Sequence, residues 1–116
     1  MTALAQHIDT ASDAVRAANH ATMRAPLDGP ESYAVVGGLA ELAGRLPQLL
    51  DYLSRSLRHA DPAAHYDDRG RDPADALDST HGHLDDARAA VVQAGQHLST
   101  AHNHLGHLGR YTAPED

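Results

Sequence analysis

The sequence predicts an all-α fold, an antiparallel three-helix bundle with a long C-terminal helix. Three observations carry that prediction. Alanine and leucine make up 22 and 14 of the 116 residues, and Ala is the strongest helix former while letting helix backbones approach closely. Apolar residues recur at helical spacing in three separate segments. Each of the two later segments is preceded by a proline-containing start signal.

In the first segment, Leu4, Ile8, Ala11, Val15, Ala18, Thr22 and Ala25 step by four and three, leaving Asp9, Asp13, Arg16, Asn19 and His20 off the seam. This spacing predicts an amphipathic helix over about residues 2–25. The second helix follows APLDGPES, where Asp28 or Gly29 can cap and Pro30 fits the first turn because its missing N–H would be unsatisfied there anyway. Its stripe is Val35, Leu39, Leu42, Leu46, Leu49, Leu53 and Leu57, widened by Val36, Leu50 and Tyr52, over about residues 31–59. Pro47 removes one helical hydrogen bond and presses on the Ala43 carbonyl, which predicts a kink. With the apolar Leu46 before it, no N-cap starts a new helix there, so one kinked helix is expected.

Residues 60–72, ADPAAHYDDRGRD, have no period and are rich in charge, Pro and Gly, the composition of a mobile acidic loop. Asp72 and Pro73 then restart a helix, with Asp75 and Asp78 near the positive end of its dipole. In this third helix, expected over 73–108 and ended by Gly109, Leu77, Leu84, Val91, Leu98 and Leu105 fall seven apart. Thr80, Ala87, Ala94, Ala101 and Leu108 follow each by three. Large/small alternation of this kind resembles a coiled-coil seam built for close approach.

The whole chain, residues 1–116, is read as a single domain. Leu, Ile, Val and Phe number only 20, and the core must be thin. A third helix longer than its neighbours would leave apolar surface uncovered, and a short chain with a thin core is commonly completed by a second subunit. The expected partner is a second copy, forming a homodimer through Leu77, Leu84, Ala87, Val91, Ala94, Leu98, Ala101, Leu105 and Leu108. Another helical protein is an alternative partner.

A formal charge of −7, with nine arginines, no lysine and no basic cluster, excludes the footprint of a nucleic-acid binder. The chain has no cysteine, hence no disulfide, thiolate nucleophile or Cys-ligated zinc. No run approaches the roughly 18 apolar residues of a membrane span. The amino terminus lacks a basic region followed by an apolar one. A cytoplasmic location is the expectation, with secretion as the alternative.

Ten histidines raise the question of metal. In the heptad that places Leu84 and Val91 at a, His83, His97 and His104 fall at g, His81 and His102 at e, and His107 at c, flanking the seam rather than filling it. His104 and His107, one turn apart in STAHNHLGHLG, are the pair that could chelate, and the alternative reading of the chain is a metal-binding helical bundle using them. No HExxH or ExxH motif supports it. The expectation is no metal and no cofactor. Serines in helical contexts, with no GxSxG elbow and no glycine-rich phosphate loop, give no catalytic constellation. The chain therefore reads as non-enzymatic, acting through its long Ala/Leu surface.

Residues 31 to 108, from ESYAVVGGLAELAGRLPQLLDYLSRSL through the acidic loop and the Ala-rich third helix, resemble small helical proteins of high-GC actinobacteria, a group that carries no established activity. The tail Tyr111-Thr-Ala-Pro-Glu115 resembles the YxxxD/E signal of WXG100-type secreted helical hairpins. That resemblance implies a secretion-associated protein. The chain departs from the pattern in lacking the Trp, with Val36-Gly37 nearest to it, and in having a third helix.

Overall fold

A computed structural model describes residues 2–21, 26–109 and 111. Among them the chain is all-helical: α1 spans Ala3–Ala21, α2 Gly29–Arg58 and α3 Pro73–Gly106, with a short 3-10 turn at Pro62–Ala64. The long C-terminal helix is present. No helix among the described residues is long and apolar enough to cross a membrane.

The starts of α2 and α3 are explained by their caps. The Asp28 side chain accepts the Glu31 N–H at 2.8 Å with Pro30 in the first turn, so Asp28 rather than Gly29 is the cap. The Asp72 side chain accepts the Ala74 N–H at 3.0 Å, again with a proline in the first turn. Both carboxylates also face the positive end of a helix dipole. α2 runs unbroken through Pro47, in line with one helix rather than two. α3 ends earlier than expected: His107, not Gly109, is the C-cap, and its N–H bonds the His104 carbonyl. The expected extension of α1 over residues 22–25, with Thr22 and Ala25 on its stripe, lies outside the described residues.

α2 and α3 pair as an antiparallel hairpin. Tyr33 and Gly37, early on α2, lie against His102, late on α3, while Ser54, late on α2, bonds His81 and Asp85, early on α3. Between these ends Ala43 and Gly95 touch, with the Gly95 Cβ direction 3.5 Å from the Ala43 Cβ. Two small residues here let the backbones come close, which is where Ala43 becomes buried.

The rows that face each other differ in part from those expected. On α2 the expected Leu46, Leu49, Leu53 and Leu57 are half-buried, as are Val36 and Leu50, and the covered surface also takes in Ser32, Ala40, Ala43, Pro47 and Ser54. Val35, Leu39 and Leu42 stand 42–44 % exposed beside it. On α3 the sevenfold row Leu77, Leu84, Val91, Leu98 and Leu105 is half-buried, as a packed row should be. Its companion is the row four residues on, with His81, Gly95 and His102 half-buried, whereas Ala87, Ala94, Ala101 and Leu108, three residues on, are exposed.

α1 does not join this pair. No α1 residue is buried, and the helix packs against neither α2 nor α3. Leu4, Ile8 and Val15 are 42–45 % exposed. Among the described residues the third layer expected of a three-helix bundle is thus not formed, and the molecule measures 77 × 25 × 24 Å. α3, the longest helix, accounts for about 51 Å at 1.5 Å per residue. Among the described residues only Ala43 and Ser54 are buried.

The segment expected as a mobile loop has defined local structure. Asp61 caps the 3-10 turn by accepting the Ala63 N–H at 2.9 Å, and the His65 ring nitrogen bonds the Asp61 carbonyl at 2.7 Å. Gly70 supplies the left-handed φ of 76° that closes the turn before Asp72.

Candidate interaction surface

The helices divide the sequence's candidate residues between two sides of α3. Leu77, Leu84, Val91, Leu98 and Leu105 are engaged in the hairpin. Ala87, Ala94, Ala101 and Leu108 remain on the outside, available to another helix, with Leu108 70 % exposed. A second exposed apolar stripe lies on α2 as Val35, Leu39 and Leu42, and a third on α1 as Leu4, Ile8 and Val15. The widest uncovered apolar rows are therefore on α1 and α2, not on α3.

Two polar arrangements fix the ends of the hairpin. At one end Ser54, 1 % exposed, donates its hydroxyl to Asp85 Oδ1 at 2.6 Å, with the His81 carbonyl 3.3 Å away. Arg58 Nη2 reaches Asp85 Oδ2 at 3.3 Å. A short hydroxyl-to-carboxylate bond is charge-assisted and directional, so it selects one axial register of α2 on α3. At the other end the His102 ring stacks on Tyr33 with centroids 4.1 Å apart and planes 22° from parallel. It lies over Gly37, where a Cβ would come within 2.7 Å of His102 Nε2. Gly37 is the absence of a side chain that the imidazole occupies.

These contacts correct the placement of two histidines. His81 and His102, expected beside the seam, are in it. His81 Nε2 lies 3.5 Å from Asp78 Oδ1, and its Nδ1 is buried without a hydrogen-bond partner among the described residues. The physical reason is the choice of the +4 row: with Ala43 against Gly95, the helix turns so that positions 81 and 102 share that face. His83, His97, His104 and His107 are exposed. His104 and His107 sit at the end of α3, and no group of three or more His, Asp or Glu side chains among the described residues is placed to hold a metal ion.

Sequence reading missed Ser54, Asp85 and Gly37 as structural determinants. A signal was available in part. Gly95 and His102, seven apart, are the kind of small and planar residues that an inward row accommodates, and Gly37 lies across from the latter. Nothing in the local sequence distinguishes Ser54 from Ser56, because only the position of α3 makes one buried and the other exposed.

In the loop, Arg69 clamps Asp67 through its backbone N–H at 2.9 Å, Nε at 3.0 Å and Nη2 at 2.9 Å. The side-chain bonds of Arg69 are the main reason the Asp67 carboxyl is held below its ordinary value of 3.8, with the backbone bond adding to them. The pair lies beside Pro73, Ala76 and Leu77 at the start of α3.

Of the WXG100-like tail, Tyr111 is fully exposed, and residues 112–116 lie outside the described residues. Comparisons of the chain with known protein families, characterised proteins and solved structures find no significant match in any of the three.

Proposed function

We propose that the chain is a non-enzymatic helical interaction protein whose fold is completed by self-association, as a homodimer. The observation that carries this reading is the imbalance between covered and uncovered apolar side chains. Among the described residues two are buried, against Leu4, Ile8, Val15, Val35, Leu39 and Leu42, each more than 40 % exposed. Burial of apolar area is worth about 25 cal/mol per Å², and an apolar row on each of two helices offers that gain to a helical partner. A second copy satisfies the need in the simplest way, because identical surfaces recur and close by two-fold symmetry.

Native mass spectrometry of untagged protein, purified without metal-affinity resin, tests it. A metal-free dimer is the expected result. A single chain at micromolar concentration would overturn self-association. Stoichiometric metal would overturn the metal-free reading and make His104 and His107 the first residues to mutate.

The α2–α3 hairpin favours one second reading, a WXG100-like secretion-associated protein, since that group is built on a helical hairpin. Export of the full chain into culture medium, lost on Tyr111→Ala, is the outcome that reading requires. Retention of the wild-type chain in cells counts against it.

A further inference from the structure

α1 and the outer stripe of α2 carry apolar side chains at the same intervals. Leu4, Ile8, Ala11 and Val15 step by four, three and four, and so do the exposed Val35, Leu39 and Leu42 with the half-buried Leu46. That interval pattern reads the same in both directions. An antiparallel pairing therefore brings all four into one register: Leu4 against Leu46, Ile8 against Leu42, Ala11 against Leu39, Val15 against Val35. The small Ala11 faces the large Leu39, the alternation that lets facing rows interdigitate. The α1 positions flanking this row, Ala5, His7, Ser12 and Ala14, include no carboxylate or guanidinium, so no like charges oppose the approach.

Within one chain this pairing would need α1 to fold back sharply on α2. Residues 26–28 form no turn, Asp28 is extended at φ −82° and ψ 176°, and Pro26 and Pro30, each with a fixed φ, bracket the segment. The 77 Å length of the molecule exceeds that of its longest helix, and α1 stands clear of both hairpin helices. A helix that packs on neither helix of its own hairpin, although a matching surface exists there, is open to exchange with a second copy.

We infer that α1 docks antiparallel on the outer α2 stripe of a second copy, whose own α1 docks in return on the first, giving an arm-exchanged two-fold dimer. This rests on the self-association reading and names its surface. Each chain gains the third helical layer it lacks, and two equivalent seams, each about 17 Å long, hold the dimer together.

Because the chain has no cysteine, introduced thiols report the geometry directly. Ile8→Cys and Leu42→Cys chains are prepared singly, mixed, equilibrated and oxidised mildly, then mapped by peptide mass spectrometry. The expected product is an interchain 8–42 disulfide in excess of 8–8 and 42–42 links, and absent when Asp13→Cys, on the far side of α1, replaces Ile8→Cys. The doubly substituted chain should give linked dimers. An intrachain 8–42 disulfide in a monomer would show α1 closing on its own hairpin and overturn the exchange.

Sedimentation of the full chain provides the second arm. Ile8→Asp/Val15→Asp should halve the mass while helical circular dichroism is retained. If that variant stays dimeric and Ala94→Glu/Ala101→Glu dissociates it, self-association stands but through α3, and the exchange fails. A monomeric wild type overturns both.

Discussion

Leu4, Ile8 and Val15 on α1 and Val36, Ala40, Ala43, Leu50 and Leu57 on α2 are both rows at helical spacing, yet the first faces water and the second faces α3. The difference lies in the small residues. α2 and α3 approach through Ala43 against Gly95 and through Gly37 under His102, and the Ser54–Asp85 bond locks the register. α1 has large side chains in its row but packs on neither hairpin helix. An amphipathic period tells a helix which face to bury, and complementary shape decides against what. The same comparison holds within α2, where the smaller row is covered and Val35, Leu39 and Leu42 are left outside.

The strongest way to break this contrast is at the close approach. Gly95→Leu should overpack against Ala43 and destabilise the hairpin by about 3 kcal/mol, seen as an earlier thermal transition by circular dichroism. Gly95→Ala should be tolerated, because a Cβ there meets Ala43 at the ordinary contact distance of 3.5 Å. Equal effects of the two changes would mean that the contact does not govern packing.

Ser54→Ala comes next. It removes the one hydroxyl buried in the hairpin and its bond to a carboxylate, for an expected loss of about 2 kcal/mol. Ser56→Ala, on the exposed side of the same turn, serves as the comparison and should change little. Chemical denaturation of both variants distinguishes a latch from a passive serine.

On α1 the expectation reverses. Under dilution sufficient to give single chains, Ile8→Asp should alter hairpin stability by no more than about 0.5 kcal/mol, because that side chain rests on nothing within the chain. A large loss in the monomer would show α1 packed on the hairpin after all.

The smallest effect concerns the loop. Asp67 has its folded-state value held below 3.8 by Arg69, so its stabilising contribution is present at higher pH and is lost as pH falls through that lowered value. The amide of Arg69, which donates to the Asp67 carboxylate, should therefore show its acid chemical-shift change below the ordinary carboxyl value of 3.8. Arg69→Ala should move that change up towards the ordinary carboxylate range. A midpoint unchanged by the substitution would remove Arg69 as its cause.

Helix existence, the starts at Asp28 and Asp72, and the continuity of α2 through Pro47 were legible because they depend on neighbours in sequence: a carboxylate two or three residues from an unpaired N–H, a proline where no N–H is needed. The packed row Leu77, Leu84, Val91, Leu98 and Leu105 was legible for the same reason, as a sevenfold repeat of large apolar residues. Its companion row was not. Ala94 and Gly95 are equally small in a one-dimensional pattern, and which one faces α2 depends on how far the helix is rotated about its axis.

By itself, then, the sequence determined three amphipathic helices, the N-caps of the second and third, a thin core and the absence of a basic cluster, because backbone hydrogen bonding and side-chain period are local. Only the tertiary structure decided that α2 and α3 pair through Ala43 and Gly95, that His81 and His102 lie in the seam, that Ser54 rather than Ser56 is buried, and that α1 stands apart. Those outcomes turn on the shape of surfaces distant in sequence, and close packing falls off so steeply with distance that a rotation by one residue exchanges one facing row for another.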